Sequence, residues 1–186
     1  MRAASHIIAS MAKRYPVKFC FLILCIMLLA GYELWEHFSL LPAYQWNVIN
    51  LKEITVPDPK SFSFAVFGDN RNSKDVFVNI LKLIDHDVDT DFAIGLGDMV
   101  QRGTKERYRY FFHQVEKHLS IPLLTVMGSH ERLGKGPNLY RAVFGLPYFS
   151  LKIGRNLFII LDNSDQKGLS PEQEQWLLHE FKKSGN

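Results

Sequence analysis

The sequence predicts an α/β domain built on a largely parallel sheet, and three observations predict it. Short apolar, β-prone runs alternate with stretches of helical spacing, the connections are short, and each of three successive runs is closed by a glycine and polar residues. With 186 residues and 47% hydrophobic content, the chain suits one globular domain with a buried core. The formal net charge of +3 is small, and much of it sits in the first eighteen residues, where Arg2, Lys13, Arg14 and Lys18 occur with no acid before Glu33. That balance carries no nucleic-acid signal. Cys20 and Cys25 both lie inside an apolar run, which excludes a disulfide framework and a cysteine metal site.

From Phe19 to Tyr32 no residue is charged, and this run follows a basic stretch, as in a signal peptide or a signal anchor. A helix needs roughly 20 residues to cross the hydrocarbon core. Snorkelling by Lys18 and Glu33 extends the span to Val17 through Trp35, and Tyr32, Trp35 and Phe38 suit a membrane interface. A cleaved peptide wants small residues after the apolar run, and Leu28-Leu29-Ala30 lacks the first of them, so a retained anchor is favoured over a cleaved one. A buried core helix would show a polar face, and this run is apolar all round. The expected layout is a basic cytoplasmic N-terminus over residues 1–18, a transmembrane signal anchor over 19–36, and everything later on the exported side of the membrane.

Residues 37–60 carry Pro42, Pro57 and Pro59 without sustained periodicity and read as a linker, with one edge strand around Asn47 to Ile54. The domain then covers 61–186. Phe62 to Phe67 is a strand closed by Gly68-Asp69, and Phe77, Ile80, Leu81 and Ile84 mark the helix after it. Asp91 to Leu96 is a second strand, again closed by Gly-Asp; Thr104 caps a helix with Tyr108, Phe111, Phe112, Val115 and Leu119 on one face. A third strand, Ile121 to Met127, ends at Gly128-Ser129-His130-Glu131. Tyr148 to Ile153 and Asn156 to Leu161 form a hairpin about Gly154-Arg155. Ser170, Pro171 and Gln173 open a last helix carrying Trp176, Leu177, Leu178 and Phe181. In a parallel sheet ligands gather at the carboxyl ends of strands, where this chain places Asp69, Asp98 and His130.

Hydrolysis of a phosphate ester needs phosphoryl charge neutralised, a water activated and a proton for the leaving group; two metal ions about 3.5–4 Å apart can do the first two. Carboxylates fixed at strand ends suit such ions. GDNR (68–71), GDMVQRG (97–103) and GSHE (128–131) follow the three strands in that order. Together they resemble the calcineurin-like metallophosphoesterases, whose pattern is GDxH, then GDxxxxG, then GNH followed by Asp or Glu. The likeness runs from about Phe62 to Lys183 and includes the hairpin and the LSPEQEQWLLHEF segment. It implies a metallophosphoesterase-like layered sandwich of sheet and helices, a phosphoester substrate and a pair of divalent ions, with Mn, Fe, Zn and Mg not distinguished. It further implies that Asp69 ligates the first metal, that Asp98 bridges the two, and that His130 protonates the leaving group or stabilises the transition state.

The sequence departs from the pattern at two positions. Arg71 stands where the first motif has a metal-binding histidine; a guanidinium cannot ligate a cation, so Arg71 is a candidate contact for substrate phosphate, or else an ion-pair partner of Asp69 or Asp75. Ser129 replaces an asparagine and is a weaker oxygen donor to a second metal. The later histidine motifs of the family are absent, and His179 on the last helix reads as a solvated residue. The chain therefore reads as a C-terminally truncated domain, lacking a further part that would act as its partner, or as a degenerate member. Two functions follow: a membrane-anchored, metal-dependent hydrolase of phosphomonoesters or phosphodiesters, or a catalytically inactive binding module of the same fold at the membrane.

Overall fold

The structure is a computed structural model that describes residues 16–38, 45–134 and 136–184. It divides into two compact units, Met1–Leu40 and Leu41–Asn186.

The first unit holds one helix, α1 (Pro16–Phe38). Phe21, Leu22, Ile23, Leu24, Ile26, Met27, Leu28 and Leu29 are all exposed, so the apolar surface runs round this stretch of the helix, as its composition dictates. Among the described residues no helix is long and apolar enough to cross a membrane. Most of the basic N-terminus, residues 1–15, lies outside the described residues, as do residues 39–44 after α1.

In the second unit the expected edge strand around Asn47 to Ile54 is instead a helix, α2 (Trp46–Glu53). Its side chains do the work an edge strand would do. Asn47 accepts from Thr125 N at 2.8 Å and donates to Thr125 O at 2.9 Å; Asn50 accepts from Leu123 N at 2.9 Å, and the Trp46 indole donates to Leu123 O at 2.7 Å. Asn47 and Asn50 lie three apart, so both amides share one helix face. They satisfy the backbone groups of the outer sheet strand that would otherwise be left unpaired.

That strand is β3 (Leu123–Thr125), which pairs in parallel with the central β2 (Thr90–Gly95), as does β1 (Ser63–Phe67) on the other side. The expected strands are therefore present, the third one shorter than expected. Successive residues of β2 face opposite ways. Ala93 packs against α3 (Lys74–His86), α4 (Lys105–His118) and α5 (Gly136–Phe144), within a core that includes Phe77, Leu81, Phe111, Phe112, Tyr140 and Phe144. Phe92 and Ile94 face the antiparallel hairpin of β4 (Phe149–Ile153) and β5 (Asn156–Ile160), together with Leu124, Leu151 and Ile160. Phe64 meets Phe158 edge to face at 5.2 Å across this second core. The central β2 and β3 are thus covered on both faces, whereas Phe64 and Val66 of the edge strand β1 stay exposed.

Helix α5 is the element the sequence reading lacks; Tyr140, Val143 and Phe144 bury its inner face. Thr104 caps α4 as expected, accepting from Arg107 N. Ser170 accepts from Gln173 N at the start of α6 (Pro171–Ser184), but the Gln173 side chain does not complete the reciprocal bond of a capping box. It exchanges two hydrogen bonds with the backbone of Asp162, at 2.6 and 2.8 Å, and so fastens α6 to the end of β5. Trp176 packs on Tyr148, whereas Leu178 and Phe181 are exposed.

Candidate active site

Three loops leave the carboxyl ends of β1, β2 and β3 side by side, and small residues let their backbones touch. A Cβ on Gly97 would lie 2.7 Å from the Cα of Gly128, and one on Gly128 would collide with the backbone nitrogen of Asp98. Neither loop accepts a side chain at its glycine. The sharp turns place Asp69, Arg71, Asn72 and Asp98 at φ of 57°, 45°, 59° and 53°, a left-handed conformation rare for residues with a Cβ. Such strain clusters at functional sites and survives only where surroundings over-determine it. Here they do. Asp69 N donates to Gly97 O at 3.1 Å, Arg71 N to Asp98 O at 2.9 Å and Asn72 N to Met99 O at 3.0 Å, so the first loop is stitched residue by residue to the second. Buried Asn70 donates to Met99 O at 2.9 Å, leaving its Oδ1 without a hydrogen-bond partner among the described residues.

The second and third loops are joined through one buried carboxylate. Glu131 is 1% exposed; its Oε2 accepts from Asp98 N and Gly128 N, both at 2.8 Å, and its Oε1 from Val100 N at 3.0 Å. Burial pushes its carboxyl above the usual range, while the three N–H donors oppose that by favouring the charged form. Glu131 is a residue the sequence reading quotes within a motif but gives no role. Its signal was an acid directly after the histidine, a place where the surrounding polarity suggests solvent rather than a backbone clasp.

Asp98 stands at the centre. Its Oδ1 accepts from His130 N at 2.9 Å, and Ser129 Oγ lies 3.4 and 3.5 Å from its two oxygens. The His130 ring places Nδ1 2.9 Å from the carbonyl of Gln101. A carbonyl only accepts, so Nδ1 carries the hydrogen and Nε2 is the nitrogen left to exchange a proton. Arg71 pairs with Asp69 Oδ1 through Nε at 2.5 Å and reaches Asp98 Oδ2 with Nη2 at 3.8 Å. Asp75, the other partner considered for Arg71, is not in this pair. Asp69, Asp98, Ser129, His130 and Arg71, the five residues singled out from the sequence, thus share one end of the sheet.

The donor set decides how many metal ions these loops could hold. Among the described residues no three His, Cys, Asp or Glu side chains gather as a metal-binding group. Asp69 and Asp98 are two hard carboxylates, Ser129 adds one weak oxygen, Arg71 adds none, and His179 is exposed on α6. These donors are too few for a pair of divalent ions, and no group among the described residues could by itself hold one.

Comparison with known families finds that a model of the calcineurin-like phosphoesterases matches residues 62–181. Comparison with curated proteins gives no match. The matched stretch opens one residue before β1, closes within α6, and contains every loop described above.

Proposed function

Because the chain belongs to the calcineurin-like phosphoesterase family, we propose that the loops after β1, β2 and β3 are the phosphoester-hydrolysing site of this hydrolase. One observation carries the placement: Asp98 accepts from His130 N while Arg71 reaches across from the first loop, so residues of three separate loops meet at one carboxylate. A planar guanidinium recognises two phosphoryl oxygens at once, which gives Arg71 the role of holding a phosphomonoester or phosphodiester. His130, with Nδ1 engaged and Nε2 free, suits proton transfer to the leaving oxygen. The family generally uses divalent ions. In this chain Asp69 and Asp98 are the carboxylates that would contribute to holding one, and it would supply neutralisation of phosphoryl charge. The dinuclear arrangement of the resemblance finds too few donors here, and no step is assigned to it.

We also propose that α1 tethers the domain to a membrane, with the N-terminus cytoplasmic and the domain exported. The basic residues before the apolar run and the acids after it support that orientation. The Arg71 pairing and the weak Ser129 donor favour a second reading, a phosphate-binding module of the same fold without turnover. Hydrolysis of p-nitrophenyl phosphate and bis(p-nitrophenyl) phosphate by the detergent-solubilised full chain with Mn²⁺ separates the two. A rate above the blank that falls about 100-fold in His130→Ala is expected of the hydrolase. No rate with either ester selects the binding module, and a rate indifferent to His130 places the chemistry elsewhere.

A further inference from the structure

We propose that the free edge of β1, with the groove between Lys60 and Arg155 at its amino end, takes an extended peptide segment of alternating apolar residues with an acidic end. Strand β1 pairs with β2 on one side and, among the described residues, with no strand on the other. Phe67 O accepts from Leu96 N at the end of β2, and backbone groups alternate in direction along a strand. The N–H and C=O of Phe64 and Val66 therefore point to the free edge. Their side chains share one face and are 39% and 50% exposed. A sheet edge is ordinarily blunted by charge or proline. From Ser61 to Gly68 this one has neither.

The groove beside this edge sets the charge of the partner. It is open, has a volume of about 730 Å³, and is lined by Lys60, Phe62 and Phe64 together with Arg155 and Phe158 of the hairpin. The hairpin turn abuts the start of β1 closely, since a Cβ on Gly154 would lie 2.5 Å from the carbonyl oxygen of Pro59. Phe62, Phe64 and Phe158 form an aromatic floor, with ring centroids 5.2, 6.0 and 6.3 Å apart. Lys60 and Arg155 are exposed, and neither has an ion-pair partner among the described residues. Asp58 and Asp91 are engaged by backbone, accepting from Lys60 N at 2.9 Å and Ser63 N at 3.0 Å, and no acid lines the groove. Two cations at one mouth favour an anion between them. A strand laid along β1 would pair its main chain with Phe64 and Val66, cover their side chains, and bring an acidic end to Lys60 and Arg155.

The test is fluorescence anisotropy of two labelled peptides with the detergent-solubilised full chain, against micelles alone as the baseline. Both peptides alternate valine and threonine over about six residues, the length of a typical strand; one ends in two glutamates and the other in two lysines. The wild type is expected to bind the glutamate peptide saturably and the lysine peptide at least about tenfold more weakly. The double variant Lys60→Glu with Arg155→Glu, both at exposed positions, is expected to reverse that preference. Val66→Pro removes one outward N–H without touching the pairing with β2, and is expected to weaken the glutamate peptide about fivefold. Circular dichroism confirms that each variant is folded. No binding of the glutamate peptide by the wild type, or a preference unchanged in the double variant, overturns the acidic partner. Binding indifferent to Val66→Pro takes the partner off the edge of β1 and overturns the strand pairing. A dimer of the wild type in sedimentation that Val66→Pro dissociates assigns the edge to a second copy, and likewise overturns the proposal.

Discussion

A single buried carboxylate does more to shape this site than any of the residues that would touch a substrate. Glu131 accepts from the backbone nitrogens of Asp98, Val100 and Gly128, so one side chain fixes both the loop that carries Asp98 and the loop that carries His130. Glutamine in its place keeps one oxygen and brings an amide NH₂ against N–H donors. With the oxygen turned toward Asp98 and Gly128, the NH₂ faces Val100 and leaves a buried N–H unpaired. We expect Glu131→Gln to cost about 1–3 kcal/mol in urea denaturation, whereas an unchanged midpoint would show that the clasp is not needed. That the residues of the site gather at one end of the sheet was legible because Gly-Asp, Gly-Asp and Gly-Ser-His close three successive strands. The clasp was not, because an acid beside His130 carries no mark of burial, and only the close approach of Gly97 to Gly128 puts it inside.

Among the elements, the strands with continuous apolar runs and helices α3, α4 and α6 were read to within a few residues, and α5 was not read. The exceptions are instructive. Residues 46–53 contain two asparagines that favour neither helix nor strand, and the helix they adopt is stabilised by contacts some seventy-five residues away, at Leu123 and Thr125. Local propensity has no access to such a partner. Asn47→Ala removes the acceptor for Thr125 N and the donor to Thr125 O at one stroke, so we expect a loss of about 1–3 kcal/mol and faster hydrogen exchange at the Thr125 amide. Ile49→Ala on the exposed side of the same helix is expected to change stability by less than about 0.5 kcal/mol. If the two substitutions prove equivalent, α2 does not seal the edge of β3. In α6 the polar Gln173 and Glu180 are buried while the apolar Leu178 and Phe181 are exposed. A glutamine read as half of a capping box is instead spent on the backbone of Asp162.

At the scale of the whole molecule the sequence separates an apolar N-terminal segment from a phosphoesterase fold. The family match to residues 62–181 covers the fold and leaves α1 and α2 outside it. A reporter fused after Asn186 is expected to be active on the exported side of the membrane, and activity confined to the cytoplasm would reverse the proposed orientation. The central claim, however, is that three loops of a parallel sheet converge on Asp98 to make one phosphoester site. The measurement that meets it most directly is aryl phosphate turnover by the full chain and by Asp98→Asn, with thermal melting recorded for both. A kcat/KM lower by about 100-fold or more in a variant that still melts cooperatively is the predicted result; turnover that survives Asp98→Asn unchanged would contradict it.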